Sequence, residues 1–140
     1  VGVAAGPGGS GEHILILKER DGERALVMGI GAGEAASIAV AAQRLRPPRP
    51  LTHDLTLHLL TRLQARLKRA VIHDMRDGAF IAQLDVDTPG GVIEVDCRPS
   101  DAVALALRAG IPILCADTVL EAAGVRADEL GGAPPEPPLD

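Results

Sequence analysis

The sequence predicts an α+β fold: a single compact domain with a mixed, largely antiparallel sheet, hairpins and about four helices. Three observations lead there. Short apolar runs come in neighbouring pairs joined by Asp-Gly or Pro-Gly-Gly, which marks hairpins rather than strand–helix–strand crossovers. Between the pairs lie Ala- and Leu-rich stretches with helical periodicity. The 140 residues are 46% hydrophobic but hold one Phe and no Trp or Tyr, so the core must be Ala, Val, Leu and Ile.

The elements follow in order. Residues 1–11, "VGVAAGPGGSG", form a flexible N-terminal segment ahead of a domain over 12–124. "HILILK" (13–18) and "RALVMGI" (24–30) make a hairpin about Arg20-Asp21-Gly22-Glu23. "GAGEAASIAVAAQRL" (31–45) is an Ala-rich helix, stopped by "RPPRP" (46–50) because proline cannot continue it. Thr52 is the candidate N-cap of a second helix with Leu55, Leu59 and Leu63 on one stripe. "ARLKRAVIHDM" (65–75) and "AFIAQLDVD" (79–87) pair across Asp77-Gly78, and Thr88-Pro89-Gly90-Gly91 returns the chain into "VIEVDC" (92–97). A helix follows with Ser100 as N-cap and Gly110 just past its end. "IPILCA" (111–116) is a last strand and "DTVLEAAG" (117–124) a last helix capped at Asp117. Residues 125–140, ending in "GGAPPEPPLD", read as a Pro/Gly-rich disordered tail.

Composition excludes several classes. Readers that stack bases on many aromatic side chains are ruled out by the single Phe. A net charge of −5 provides no global field for phosphate backbones, so any nucleic-acid contact needs a local basic cluster or bridging cations. Cys97 and Cys115 lie in apolar runs without CxxC or zinc spacing and read as buried, reduced thiols. No apolar run is long enough to span a bilayer, and the first residues lack the pattern of a signal peptide. The expected compartment is the cytoplasm.

Four constellations bear on chemistry. In the 79–97 hairpin, Asp85 faces Glu94 and Gln83 faces Asp96, with Asp87 and Arg98 on the same polar face; Phe80, Leu84, Val86, Ile93, Val95 and Cys97 form the apolar face. Facing like charges need an offset, for which Arg76, Arg98, water or a divalent cation are the candidates. In "RPSDAVALALR" (98–108), capping accounts for Ser100 and Asp101, whereas Arg98 can clamp Asp96 or hold an anion in two-point contact. In "RPPRPLTHDL" (46–55), Arg46 and Arg49 precede His53 and Asp54, a pairing suited to proton transfer, and Asp54 and His58 share a helix face. Gly31-Ala32-Gly33-Glu34-Ala35-Ala36 fits a dinucleotide fingerprint, but a hairpin precedes it and Glu34 would repel a pyrophosphate, so it is set aside. An internal echo aligns Glu34 with Asp101 and Ile38 with Leu105; a duplicated strand–helix–helix unit would place two acid-bearing helix N-termini side by side.

"RPLTHDL" (49–55), "RDG" (76–78) and above all "RPSDAVALALR" (98–108) resemble the bifunctional nuclease domain family, supported by "ILKERDGERAL" (16–26) and "GAGEAASIAVA" (31–41). The resemblance spans about residues 12–124 and implies a compact, often dimeric α+β domain that cleaves RNA and DNA. Met28, Ile81 and Cys97 depart from the family pattern, and Met28 and Ile81 stand where it has aromatics. The resemblance implies a homodimer with nucleic acid as partner and no membrane. Of the candidate residues, His53, Asp54, Arg98 and Asp101 are the expected catalytic set. Arg49, Arg98 and Ser100 would bind substrate, and Glu34, Asp96 and Asp101 would hold Mg²⁺ or Mn²⁺, with no organic cofactor. The alternative is a non-catalytic dimeric interaction or regulatory domain whose motif residues hold the fold.

Overall fold

Ala-rich helices can approach one another closely, because the spacing of packed helices is set by the side chains between them. That property organises this chain. A computed structural model describes residues 13–130 together with the backbone of 2–5. Its elements are β1 (Gly2–Ala5), β2 (His13–Lys18), β3 (Arg24–Ile30), α1 (Ala32–Ala42), α2 (Thr52–Arg62), β4 (Arg66–Arg76), β5 (Ala79–Thr88), β6 (Gly91–Cys97), α3 (Pro99–Ala109), β7 (Ile113–Cys115), α4 (Asp117–Ala123) and β8 (Val125–Arg126), with a 3₁₀ turn over Ala127–Glu129.

The strands form two sheets where the sequence suggested one. The first has the order β1-β2-β3-β8 and is antiparallel throughout; the second has the order β6-β5-β4-β7, with β7 parallel to β4. Helix α3 packs on β4 and β5 and also against α1 and α2, while α4 touches both β3 and β4. One core results. Leu15, Leu26 and Met28 of the first sheet join Leu67, Ile72, Leu84 and Val86 of the second, with Ile38 and Val103 from the helices between. Each such fully buried aliphatic side chain contributes about 2 kcal/mol. Because β3 lies antiparallel to both its neighbours, no strand–helix–strand crossover precedes α1, in accord with setting the fingerprint aside.

Turn chemistry matches the pattern in two of three hairpins. Asp77 (φ 51°) and Gly78 (φ 79°) form a two-residue turn with both central φ positive, the twist that suits a hairpin. Thr88 pairs with Gly91, so the turn is centred on Pro89-Gly90, and Asp85 faces Glu94 as the alternation predicts. The first hairpin has the expected strand ends, Lys18 and Arg24, but its connection is longer than a two-residue Asp-Gly turn, because the Glu19 carboxylate accepts hydrogen bonds from the Arg24 backbone N–H and guanidinium and closes a wider loop.

Helix ends are the main correction to the sequence reading. The N-caps are Leu51, Arg98 and Ala116, not Thr52, Ser100 and Asp117. In α3 the cause is Pro99, which occupies the first helical position where its missing N–H costs nothing. Ser100 is consequently inside the helix and buried. Helix α1 ends at Ala42, ahead of the prolines: Arg44 adopts a left-handed φ of 55°, and Leu45 N–H donates to Val40 O. Gly110 closes α3 with φ 69°, as its position suggested.

Two further differences concern the surface. Ile93 and Val95, expected in the core, are 49% and 40% exposed, because β6 is a sheet edge and nothing among the described residues covers its outer half. Asp85 is buried, and its charge is matched by Arg69 across the β4–β5 ladder rather than by Arg76 or Arg98. Residues 125–130, assigned to the tail, supply β8 and the 3₁₀ turn, and Gly2–Ala5 adds an edge strand; the expectations for residues 1, 6–12 and 131–140 lie outside the described residues.

Arg69→Ala strands a buried carboxylate. Its expected effect is a loss of about 2 kcal/mol, kept from being larger by the Gln83 amide, which still donates to Asp85. Urea denaturation measures it, and adding Asp85→Asn recovers most of the loss.

Candidate active site

The N-termini of α1 and α3 converge because the two helices pack face to face through small residues. Glu34 sits in the first turn of α1 and Asp101 in the first turn of α3, where the helix dipoles favour negative charge. Between them lies Arg98. Its Nη1 donates to Glu34 Oε1 at 3.0 Å, and its Nε and Nη2 donate to Asp101 Oδ2 and Oδ1 at 2.9 and 3.2 Å. Gly31 makes room for this arrangement: a Cβ there would come within 2.2 Å of Glu34 Oε2.

Helix α2 delivers His53 to the other side of Asp101. His53 Nε2 lies 2.9 Å from Asp101 Oδ1 and Nδ1 lies 2.7 Å from Ser37 Oγ. Ser37 Oγ also accepts from Arg108 Nη2 at 3.1 Å, which leaves its own hydrogen for His53 Nδ1. An ionised Asp101 is an acceptor only, so Nε2 carries the ring proton. The chain of donors therefore runs Arg108 to Ser37 to His53 to Asp101, across α3, α1, α2 and back to α3. A cleft of 540 Å³ opens over it, lined by Glu34, Ser37, Leu51, His53, Arg98 and Asp101 among others.

Asp54 does not orient His53, contrary to expectation. Its Oδ2 accepts from the Leu51 N–H at 2.8 Å, the half of a capping box available when the cap residue is leucine, and its Oδ1 accepts from Arg108 Nε at 2.8 Å. Arg108, 8% exposed, further holds the Ala104 and Ser37 carbonyls. Ser37 and Arg108 are thus site residues that the sequence reading passed over. Arg108 at the end of the apolar run of α3 was the available signal, since an arginine buried beside such a run demands acceptors.

The other candidates divide. Arg49 is exposed on its loop and lines neither this cleft nor its neighbour, while Ser100 is buried in the wall of that neighbour. Asp96 is exposed opposite Gln83 on β6. The expected metal set of Glu34, Asp96 and Asp101 is therefore not gathered, and among the described residues no three His, Cys, Asp or Glu side chains are arranged to hold a metal. Arg98 fills the gap between the two carboxylates that do meet.

Electrostatics follow the contacts. Burial pushes the Asp101 carboxyl up, but the hydrogen bonds from Arg98 and His53 outweigh it and hold it below its ordinary value. Glu34 is lowered by its own backbone N–H and by Arg98. Arg98 is raised by Asp101 and Glu34. Burial, with Asp101 and Asp96 adding to it, pushes the Cys97 thiol up to about 11, so it stays protonated at neutral pH.

A carboxylate depressed on folding stabilises the native state above its unfolded value and loses that contribution as pH falls through the folded one. Stability should therefore drop as pH falls below about 4. Urea midpoints from pH 7 to pH 3 check this. Asp101→Asn should start lower at pH 7 and fall less steeply.

The sequence profile of the bifunctional nuclease domain matches residues 15–128. An uncharacterised protein of Mycobacterium tuberculosis is 46% identical over 114 residues, covering 81% of this chain and 68% of that one. Bifunctional nuclease 1 of Oryza sativa subsp. japonica is 29% identical over 106 residues, covering 72% of this chain and 32% of the rice protein. The matched span runs from within β2 through all four helices and holds every residue of the Arg98–Asp101–His53 cluster, and this chain belongs to the bifunctional nuclease domain family.

Proposed function

We propose that the chain hydrolyses phosphodiester bonds of RNA and DNA, with little sequence preference, in the cleft above His53, Arg98 and Asp101. The observation that carries this reading is the convergence of an imidazole, its carboxylate partner and an arginine on one open cleft. The family membership and the rice relative's name support it. Arg98 is the phosphate contact. Its guanidinium has five N–H donors, three of which are used within the chain, and its side chain is 64% exposed. The remaining donors can take non-bridging oxygens in two-point contact. His53 is the base: its Nδ1, which accepts from the Ser37 hydroxyl, takes a proton that Ser37 passes on from water, and Asp101 steadies the imidazolium that forms. The carboxylate on Nε2 fixes the tautomer that leaves Nδ1 as the acceptor.

Glu34 and Asp101 would hold Mg²⁺ or Mn²⁺ in competition with Arg98, whose guanidinium lies between them and donates to both carboxylates; the cation would supply charge stabilisation at the phosphate.

One observation favours a second reading, a non-catalytic dimeric interaction domain. Glu34, His53, Arg98 and Asp101 satisfy one another, as a structural clamp would. Leu55 and Leu59 of α2 and its C-cap Leu63 are meanwhile 52%, 54% and 71% exposed, an apolar stripe of the kind that seats a partner.

Cleavage of labelled single-stranded RNA and DNA by purified protein separates the two, run with Mg²⁺, Mn²⁺ and EDTA. His53→Ala and Asp101→Ala should each lower the rate at least 100-fold while the proteins remain folded by circular dichroism. Cleavage that survives both substitutions belongs to another site or a contaminant, and no cleavage by the wild type leaves the interaction reading.

A further inference from the structure

A second cleft, of 690 Å³, lies on the other side of Arg98. Glu34 and Arg98 line both clefts, so their ion pair is a shared wall rather than the floor of one. The two clefts differ in chemistry. The one over His53 holds the proton-transfer chain. The other runs between β3, the β4–β5 turn and the start of α3; Val27, Ile30, Met75 and Phe80 line it, and Met28, which also borders it, is buried in the core. The chain's one Phe and its exposed methionine, Met75, are therefore in the same place. A thioether and a ring make a polarisable lining that suits the face of a flat heterocycle. Backbone leaves room as well: a Cβ on Gly29 or Gly78 would meet no atom within 4 Å.

An occupant must bring a flat, weakly polar body to this lining and an anionic group to Arg98. We infer that this cleft takes the unpaired base of a nucleotide whose phosphate sits at Arg98, which makes single strands and loops the preferred substrates; the inference rests on the nuclease reading above. Hydrogen bonding selects this occupant over a purely apolar one: the exposed Arg98 guanidinium keeps two unused donors for phosphate oxygens, and its ion pair with Glu34 offsets the repulsion that carboxylate alone would exert. A base stacked and paired in a duplex cannot enter, and extruding one costs a few kcal/mol. A single aromatic platform is enough for one base. The scarcity of aromatics that argues against extended stacking surfaces is thus compatible with one stacked nucleotide.

Titration calorimetry with adenosine 5′-monophosphate and with ribose 5-phosphate tests this without relying on turnover. The wild type should bind the nucleotide at least tenfold more tightly. Gly29→Leu, which projects a side chain into open space, should abolish that difference and leave ribose 5-phosphate binding unchanged. Should that variant fail to fold, Met75→Ala, which alters a partly exposed wall, should narrow the difference at least threefold. Equal binding of the two ligands by the wild type overturns the inference. So does a difference that persists in the folded Gly29→Leu protein, or that Met75→Ala leaves intact when Gly29→Leu does not fold. A protein that cleaves oligonucleotides but shows no preference for the nucleotide refutes the base cleft and leaves the nuclease reading standing. One that prefers the nucleotide but cleaves nothing keeps the base cleft and refutes the nuclease reading.

Discussion

The Asp101 carboxylate is the point on which the helical layer turns. It stands in the first turn of α3, accepts two donors from Arg98 on the strand side and one from His53 on α2, and through Arg98 reaches Glu34 on α1. Three helices and the end of β6 are thereby referred to a single pair of oxygen atoms. Burial alone would raise the energy of that charge. Its three donors, with the dipole of α3 behind them, offset the cost, and the offset works only while every partner stays in place. A polar cluster of this kind fixes geometry more than it adds stability, since unpaired members are expensive and paired ones roughly break even.

The cluster depends in turn on the packing beneath it. Ala102, Val103, Ala104, Leu105 and Ala106 are all buried, so α3 is enclosed on nearly every side. Small residues on α3 and on the facing surface of α1 let the backbones approach, and this brings Glu34 within reach of Arg98. Enlarging a side chain in that seam would separate the helix starts before it exposed any apolar surface. Arg108 secures the other end of the seam by joining Asp54, Ser37 and the Ala104 carbonyl. Site and core are therefore one construction, with the same helix spacing serving both.

How much of this could be read from the chain depends on the range of the interaction. Strand alternation is local, so the pairing of Asp85 with Glu94 and of Gln83 with Asp96 was legible, as was the Asp77-Gly78 turn. β8 was not, because Val125-Arg126 has no periodicity to read and pairs only once β3 is in place. The meeting of Glu34 with the Asp101 helix was anticipated through the internal echo, and the structure repeats a hairpin followed by a helix at β2–β3–α1 and β5–β6–α3. The partner of His53 was misassigned for a physical reason. Asp54 is adjacent in sequence, but consecutive residues on a helix point about 100° apart, so Asp54 faces Arg108 while His53 faces Asp101. Ser37 looked like one more small residue in an Ala-rich helix; its hydroxyl gains meaning only from α2 and Arg108. Asp96 shared a strand face with Arg98 in the alternation, but Arg98 leaves the strand as the cap of α3 and turns to Asp101 instead.

The ordering of protons along Arg108, Ser37, His53 and Asp101 is the most exposed part of this account, because the roles of cap, clamp and base all assume it. Nitrogen-15 NMR of the imidazole rings reads it directly. His53 should carry its ring proton on Nε2, with Nδ1 acting as acceptor from Ser37, and Asp101→Asn should disturb this pattern. A ring with its proton on Nδ1, or one averaging freely between the two forms, would contradict it.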